Sequence, residues 1–256
     1  MKRLLCVLSL SMTGFVNAEW TPPQKPNPDK ILEEAKTDAD AERYEDALAK
    51  HVWYHQNALK YKPVLAGVRL SYALGDWVKL GAAYPPALEK VKSIRDEAGA
   101  NIRAGKASFE SFQDYTAINK CLNEGEKTKD LFIWLDTNNP TAAREVYDLA
   151  QPALIKAKEY RVCGRYVNPE SSFHSIRNTY RTTQRAARDL KSDRLQDSAG
   201  KMFSSQAATL VALLALTERK VDADRIAVEA AKEWDDPMFK QQLEKARNGE
   251  LPRPWP

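Results

Sequence analysis

The placement of proline constrains this chain more than any other feature of its sequence. Four of its 14 prolines lie in residues 20–28 and three more lie in residues 251–256, so only seven interrupt the long stretch between them. Proline lacks a backbone N–H and disfavours the helical conformation of the residue before it, so both proline-rich segments are predicted to be non-helical. Between them, apolar residues recur at helical spacing and Asn-Gly or Asp-Gly hairpin signals are nearly absent. We therefore predict an all-α fold.

The first 18 residues have the layout of a cleaved secretory signal peptide. Lys2 and Arg3 precede an uncharged stretch over residues 4–16, and small residues lead up to Ala18. At ~1.5 Å per residue this stretch is too short to cross about 30 Å of hydrocarbon. We expect cleavage after Ala18 and a periplasmic or secreted location. The remaining chain is predicted to comprise an extended proline-rich leader (19–28), a helical domain (29–250) and a proline-rich tail (251–256).

Composition excludes several classes of function. The chain carries 39 Lys and Arg against 35 Asp and Glu, a formal net charge of +4, which gives no reason to expect a nucleic-acid-binding protein. Three cysteines are too few for a disulfide-dense scaffold. The longest apolar run after the signal peptide, residues 207–216, is too short to span a bilayer and is predicted to be a buried core helix. No cofactor motif is present, so we predict no cofactor.

A longer helix, a tight turn and a shorter helix recur along the predicted body, closed by Asn-Pro, Asp-Pro or Pro-Pro. The best copy covers residues 112–140, with Leu122-Asn123-Glu124-Gly125 at the turn and Phe132 eight residues before Pro140. This unit resembles the tetratricopeptide (TPR-like) helical hairpin, in particular that of uncharacterised exported bacterial proteins, over about residues 44–236. The resemblance implies a right-handed solenoid of stacked hairpins whose concave face binds a peptide or another protein. An irregular all-α bundle of the same helices is the alternative.

Charge is distributed unevenly along the chain. Residues 156–194 carry ten Lys and Arg against four acidic residues, whereas residues 29–50 carry eight acidic residues against four basic ones. Four arginines follow one helix face at steps of four, four and three, with a tyrosine beside them: Arg177, Arg181, Arg185, Arg188 and Tyr180. Guanidinium groups in a row can form paired hydrogen bonds with carboxylates or phosphates. A solvated helix face with neighbouring counter-charges is one interpretation, and a docking surface for an acidic partner, a peptide carboxylate or an anionic lipid headgroup is the other.

Histidine and cysteine supply two further candidate sites. His51 and His55 stand at i and i+4 of one predicted helix, a spacing that can hold zinc, but Val52 occupies the position where a metalloprotease requires glutamate. Packing residues are the alternative, and we assign no metal. Cys121 and Cys163 remain after removal of the signal peptide, and they occupy comparable turn-proximal positions in successive hairpins. In an oxidising compartment they form either a disulfide or two buried thiols.

Taken together, these features predict an exported, non-catalytic module for protein binding or assembly. The alternative is an all-α periplasmic enzyme acting on an envelope substrate, with carboxylates brought together by the fold. The absence of a local catalytic motif favours binding, so no catalytic residue is assigned. The expected partner is a protein or peptide, with an acidic one suggested by the arginines.

Overall fold

The computed structural model describes residues 20–106 and 109–253. Within them the chain forms helices without any strand, which confirms the all-α prediction. The helices are α1 (Pro28–Asp40), α2 (Tyr44–Tyr61), α3 (Ala66–Arg69), α4 (Tyr72–Ala83), α5 (Pro85–Arg103), α6 (Phe109–Cys121), α7 (Gly125–Asn138), α8 (Pro140–Lys156), α9 (Tyr160–Tyr166), α10 (Pro169–Asp189), α11 (Asp193–Leu216), α12 (Lys220–Glu233) and α13 (Pro237–Arg247). A single 3-10 turn, Pro63–Leu65, precedes α3. The predicted signal peptide lies outside the described residues.

Four of these helices begin with a proline that follows a capping Asn or Asp residue. The residues before α1, α8, α10 and α13 are Asn27, Asn139, Asn168 and Asp236, and each accepts a hydrogen bond on its side-chain oxygen from a backbone N–H in the first helical turn. Proline follows in each case at the first helical position, where its missing N–H has no partner to lose. The Asn-Pro and Asp-Pro pairs that the sequence analysis took as helix boundaries are therefore helix starts with a side-chain cap.

A second kind of junction recurs between helices. Five non-glycine residues adopt a left-handed conformation: Glu42, Asn123, Lys158, Lys191 and Glu218. Each lies two residues before a new helix begins. The N–H of the following residue returns to a carbonyl near the end of the preceding helix, at 2.8 Å from Glu124 to Asn119 and at 2.9 Å from Glu159 to Leu154. This is the Schellman arrangement, which satisfies carbonyls that the helix end leaves open.

One predicted boundary is wrong. The sequence Leu74-Gly75-Asp76 predicts a break in a helix that opens at Pro63. In the structure α4 runs through Gly75, and the break lies earlier, at Leu70 and Ser71. Glycine inside a helix costs about 1 kcal/mol relative to alanine. Burial of Leu74 and Trp77, each 1% exposed, outweighs that cost.

The chain divides into two compact units. Among the described residues, unit 1 comprises 20–97 and Lys120–Leu122, and unit 2 comprises 98–106, 109–119 and 123–253. In unit 1, α1 packs on α2, and both contact α4. Residues 20–27 form no helix and lead into α1. The predicted proline-rich leader is therefore non-helical over residues 20–27, whereas its last predicted residue, Pro28, begins α1.

In unit 2, α11 contacts α10, α12 and α13, and α12 also contacts α10 and α13. The central helix, α11, buries ten side chains or backbone positions: Ala199, Gly200, Phe203, Ala207, Ala208, Leu210, Val211, Ala212, Leu213 and Leu214. By length and mean hydropathy α11 could cross a membrane, and 56% of its most apolar window is buried inside the protein. The predicted core run, residues 207–216, lies in this helix and is mostly buried.

Candidate functional site

Unit 1 carries a groove of about 1240 Å³ between α2, the beginning of α5 and the leader. We call it the aromatic groove. Its lining residues are Trp20, Pro22, Glu42, Arg43, Tyr44, Glu45, Asp46, Leu48, Ala49, Val52, Trp53, Gln56, Asn57, Tyr84, Pro86, Glu89, Lys90 and Ser93. A groove of this size can hold several residues of an extended peptide.

Two aromatic pairs define the groove. Tyr44 and Tyr84 stack with ring centroids 5.8 Å apart, and Trp20 meets Trp53 edge to face at 6.4 Å. All four rings are only partly buried, so each presents a face or an edge to the groove. Trp53 also contacts Tyr61, at 5.8 Å between centroids. The rings form a rigid, amphipathic surface of the kind that contributes strongly to protein interfaces.

A buried ion pair joins α2 to α1. Lys50 bonds to Asp38 of α1, and Arg43 bonds to the same carboxylate. Burial alone would raise the pKa of Asp38, but the hydrogen bonds and charges of Lys50 and Arg43 outweigh it and hold the pKa below its usual value. The Lys50 ammonium also lies 5.6 Å from the Trp20 ring centroid. One lysine thus joins the α1–α2 hairpin to the leader.

The predicted histidine pair lies on α2, in the core of unit 1. His51 is 2% exposed and stacks on Trp77 at 5.9 Å, and burial lowers its pKa to about 4. His55 meets the same indole edge to face, and Arg69 donates to the His55 carbonyl at 3.3 Å. In the part of the chain that the structure describes, no group of three or more His, Cys, Asp or Glu could hold a metal ion. The two rings therefore pack against Trp77.

The predicted arginines lie on α10 of unit 2. We call the exposed side formed by Arg181, Arg185 and Arg188 the arginine face. Arg181 donates two hydrogen bonds, both 2.6 Å, to the carboxylate of Glu233 on α12. Arg185 and Arg188 are exposed and form no ion pair with another described residue. Arg177 is partly buried, with its guanidinium 5.4 Å from the Phe173 ring centroid.

Tyr180 lies in the core and not on the arginine face. It is 8% exposed, its ring stacks on Phe203 at 4.5 Å, and its hydroxyl accepts a hydrogen bond from Gln184 at 3.1 Å. In the sequence Tyr180 directly precedes Arg181, which suggests that the two side chains lie together. On the helix, the residue before Arg181 is rotated by about 100° from it and points toward α11.

Both cysteines of the described chain are free thiols in the structure. Burial raises the pKa of Cys163 to about 11, although a hydrogen bond with Tyr147 opposes the rise. Burial also raises the pKa of the half-buried Cys121. Only the thiolate is a strong nucleophile, so Cys163 is protonated and unreactive near neutral pH.

The sequence analysis did not identify the aromatic groove, although a signal was present. Tyr44, Leu48 and Val52 stand four residues apart, a spacing that predicts one shared face of a helix. The structure buries the neighbouring face, with Ala47 and Tyr54, and leaves those three only partly covered. A helix with apolar residues on two faces is a pattern that indicates an additional contact surface.

Comparison with known proteins gives no relative for this chain: no protein-family model, curated protein or solved structure matches it.

Proposed function

We propose that this protein is an exported, non-catalytic protein-binding module, and that the aromatic groove of unit 1 holds a peptide segment of its partner. The observation that carries the proposal is the groove itself, which combines four partly exposed aromatic rings with the amide side chains of Gln56 and Asn57. Aromatic rings supply contact area, and amides can hydrogen-bond to a peptide backbone.

The proposal includes a TPR-like stacking of helical hairpins. The left-handed turn residues Asn123, Lys158 and Lys191 are 35 and 33 residues apart. This spacing is close to the ~34-residue period of tetratricopeptide repeats. Capped prolines at Pro140 and Pro169 separate the same hairpins. The two junctions alternate from Asn123 to Lys191, and this alternation supports a repeat over that part of the chain. After Lys191 the next junction, at Glu218, is again a left-handed turn.

The protonation states of the buried groups favour binding over catalysis. His51 has a pKa of about 4 and is covered by Trp77, and the Cys163 thiol has a pKa of about 11. A general base or a nucleophile works best with a pKa near the working pH. These two groups therefore do not support the alternative, an all-α periplasmic enzyme.

The arginine face is the second contact surface that we propose, for an acidic part of the partner. Glu233 orients the Arg181 guanidinium, and the two arginines beyond it have exposed, unshared guanidinium groups. Such groups bind carboxylates through paired hydrogen bonds. The proposed partner is therefore the same acidic protein or peptide that the sequence suggests.

Affinity purification from the cell envelope, with partners identified by mass spectrometry, tests the groove. The Trp53→Ala variant should lose a partner that the unaltered protein enriches, because Trp53 lines the groove and its ring contacts Trp20, another lining residue. Tyr72→Ala is the matched control, since Tyr72 is 77% exposed on α4 and does not line the groove. An identical set of partners for all three proteins would contradict the proposal.

A further inference from the structure

We propose that the ligand of the aromatic groove is an extended, proline-containing peptide segment with a cationic side chain. This inference rests on the proposed function and specifies its ligand. It comes from three independent observations: the part of the chain that already lies in the groove, the aromatic lining, and the balance of charge around it.

The chain's own leader occupies one end of the groove. Residues 20–27 form no helix, and two of them, Trp20 and Pro22, line the groove. Trp20 lies edge to face against Trp53, and the Lys50 ammonium lies over its ring. The groove therefore already accepts an aromatic residue and a proline from a non-helical segment, residues 20–27, that contains three prolines. Proline favours an extended backbone in such a segment.

The unoccupied part of the groove repeats the same chemistry. Tyr44 and Tyr84 stack on each other, and Pro86 lies beside them at the start of α5. Grooves lined by aromatic side chains are a general means of binding proline-rich segments, because proline rings pack flat against aromatic faces. A proline-rich ligand is also already extended, so it loses little conformational entropy on binding.

The charge around the groove selects for a cationic ligand. Four carboxylates line it, Glu42, Glu45, Asp46 and Glu89, against the cations Arg43 and Lys90. Arg43 is engaged with Asp38, which leaves it less able to balance the carboxylates. The surrounding field is negative and attracts a positively charged segment. The leader itself carries Lys25 among its prolines, which agrees with this preference.

The leader acts as an intramolecular competitor for such a ligand. A tethered segment has an effective concentration in the millimolar range for a nearby site. Removing the Trp20 side chain should therefore expose a subsite that an external peptide can fill.

The test uses a fluorescein-labelled synthetic peptide with the leader sequence of residues 20–28, titrated against purified protein and followed by fluorescence anisotropy. Trp20→Ala should bind the peptide at least about tenfold more tightly than the unaltered protein, because the tethered competitor is weakened. Adding Trp53→Ala to that variant should remove the gain, whereas adding Tyr72→Ala should not. Circular dichroism checks that each variant keeps its helices.

Two further peptides separate the elements of the proposal. A peptide with alanine in place of all four prolines should bind at least about tenfold more weakly, since it loses both ring packing and its extended conformation. In the Trp20→Ala background, the charge-reversal double variant Glu45→Lys with Glu89→Lys should weaken binding. A peptide with glutamate in place of Lys25 should bind this double variant more tightly than the lysine-containing peptide does. These two glutamates are exposed, so their reversal leaves the core intact.

The outcomes distinguish this inference from the proposed function. Equal binding of the proline-free peptide, dependent on Trp53, would overturn the inference and leave a peptide-binding groove. The inference also falls if no peptide binds Trp20→Ala while the Trp53-dependent partner is still recovered from the envelope. Both proposals fall if neither experiment shows any dependence on Trp53.

Discussion

The interiors of the two units contain different kinds of interaction. All the charged side chains that are buried in the described chain belong to unit 1: Asp38, Lys50, Arg69 and Arg95, with the histidines His51 and His55 beside them. The buried polar residues of unit 2 are the uncharged Asn119 and Thr128, which bond to each other at 3.1 Å. Around them the core of unit 2 is apolar and centred on α11.

This difference affects how specifically the helices are positioned more than it affects the stability of either unit. Apolar burial is non-directional, whereas a buried ion pair such as Lys50 with Asp38 is satisfied in a single register of α1 against α2. Replacement of such a pair by apolar residues is often neutral, so its presence is weak evidence for stability. We infer that the pair fixes the position of α2, which forms one wall of the aromatic groove. Unit 2, which carries the arginine face, has a core that is positioned by apolar packing without a buried ion pair among its described residues.

The largest effect of a single substitution on the free energy of unfolding is expected in the apolar core of unit 2. Phe203 is 1% exposed and packs against Tyr180 at 4.5 Å and Phe239 at 5.6 Å. Phe203→Ala should lower the free energy of unfolding by about 3–5 kcal/mol, because it removes buried contacts and leaves a cavity. Urea denaturation followed by circular dichroism measures the change. Met238→Ala, at a side chain that is 78% exposed in the same unit, should stay within about 0.5 kcal/mol. A similar loss in both variants would show that the core is not centred where the structure places it.

A smaller effect on the free energy of unfolding, which depends on pH, is expected from His51 in unit 1. The pKa of His51 falls from 6.5 to about 4 in the folded protein because burial opposes its charged form. The unfolded chain therefore binds a proton first as the pH falls, and stability that is fully present above pH 6.5 is lost between about pH 6.5 and 4. The interval between the two pKa values corresponds to roughly 3 kcal/mol.

His51→Phe should abolish this part of the pH dependence, because phenylalanine packs against Trp77 without binding a proton. Urea denaturation at a series of pH values between 4 and 7 measures the slope. His174→Phe is the control, since His174 is exposed on α10 of the other unit. An unchanged slope in His51→Phe, or an equal change in the control, would mean that His51 takes up its proton without loss of packing.

Local sequence features predicted the helices and their ends, because caps and turns act over a few residues. Proline after Asn139 and Asn168 marks helix starts, and the apolar run in α11 marks the core. Gly75 misled the prediction, since tertiary burial of Leu74 and Trp77 outweighs a local preference. The groove depends on which of two apolar faces of α2 is covered, and that is decided by how α1 and α4 pack on α2.

The predicted binding residues show that local sequence spacing also fails to predict ion pairs between distant helices. A helical period places the arginines on one face correctly, but it does not show that Arg181 finds Glu233 on α12, 52 residues later. Partners at that separation are set by how helices pack, which local spacing does not encode. Consequently the sequence overestimates the number of arginines available to a ligand, and the structure reduces it to Arg185 and Arg188.

The smallest effect on folding, and a specific effect on binding, is expected at the arginine face. Arg185→Glu with Arg188→Glu should change the free energy of unfolding by less than about 0.5 kcal/mol, because both side chains are exposed and no described residue forms an ion pair with either. The same variant should bind an immobilised glutamate-rich decapeptide at least about tenfold more weakly, since charge-assisted hydrogen bonds are lost and repulsion replaces them. Lys156→Glu with Lys158→Glu makes the same change in net charge at exposed positions elsewhere in unit 2. Equal weakening by both variants would assign the effect to overall charge. Weakening by the α10 variant alone would show that unit 2 binds through a defined surface despite a core that contains no buried charge in its described residues.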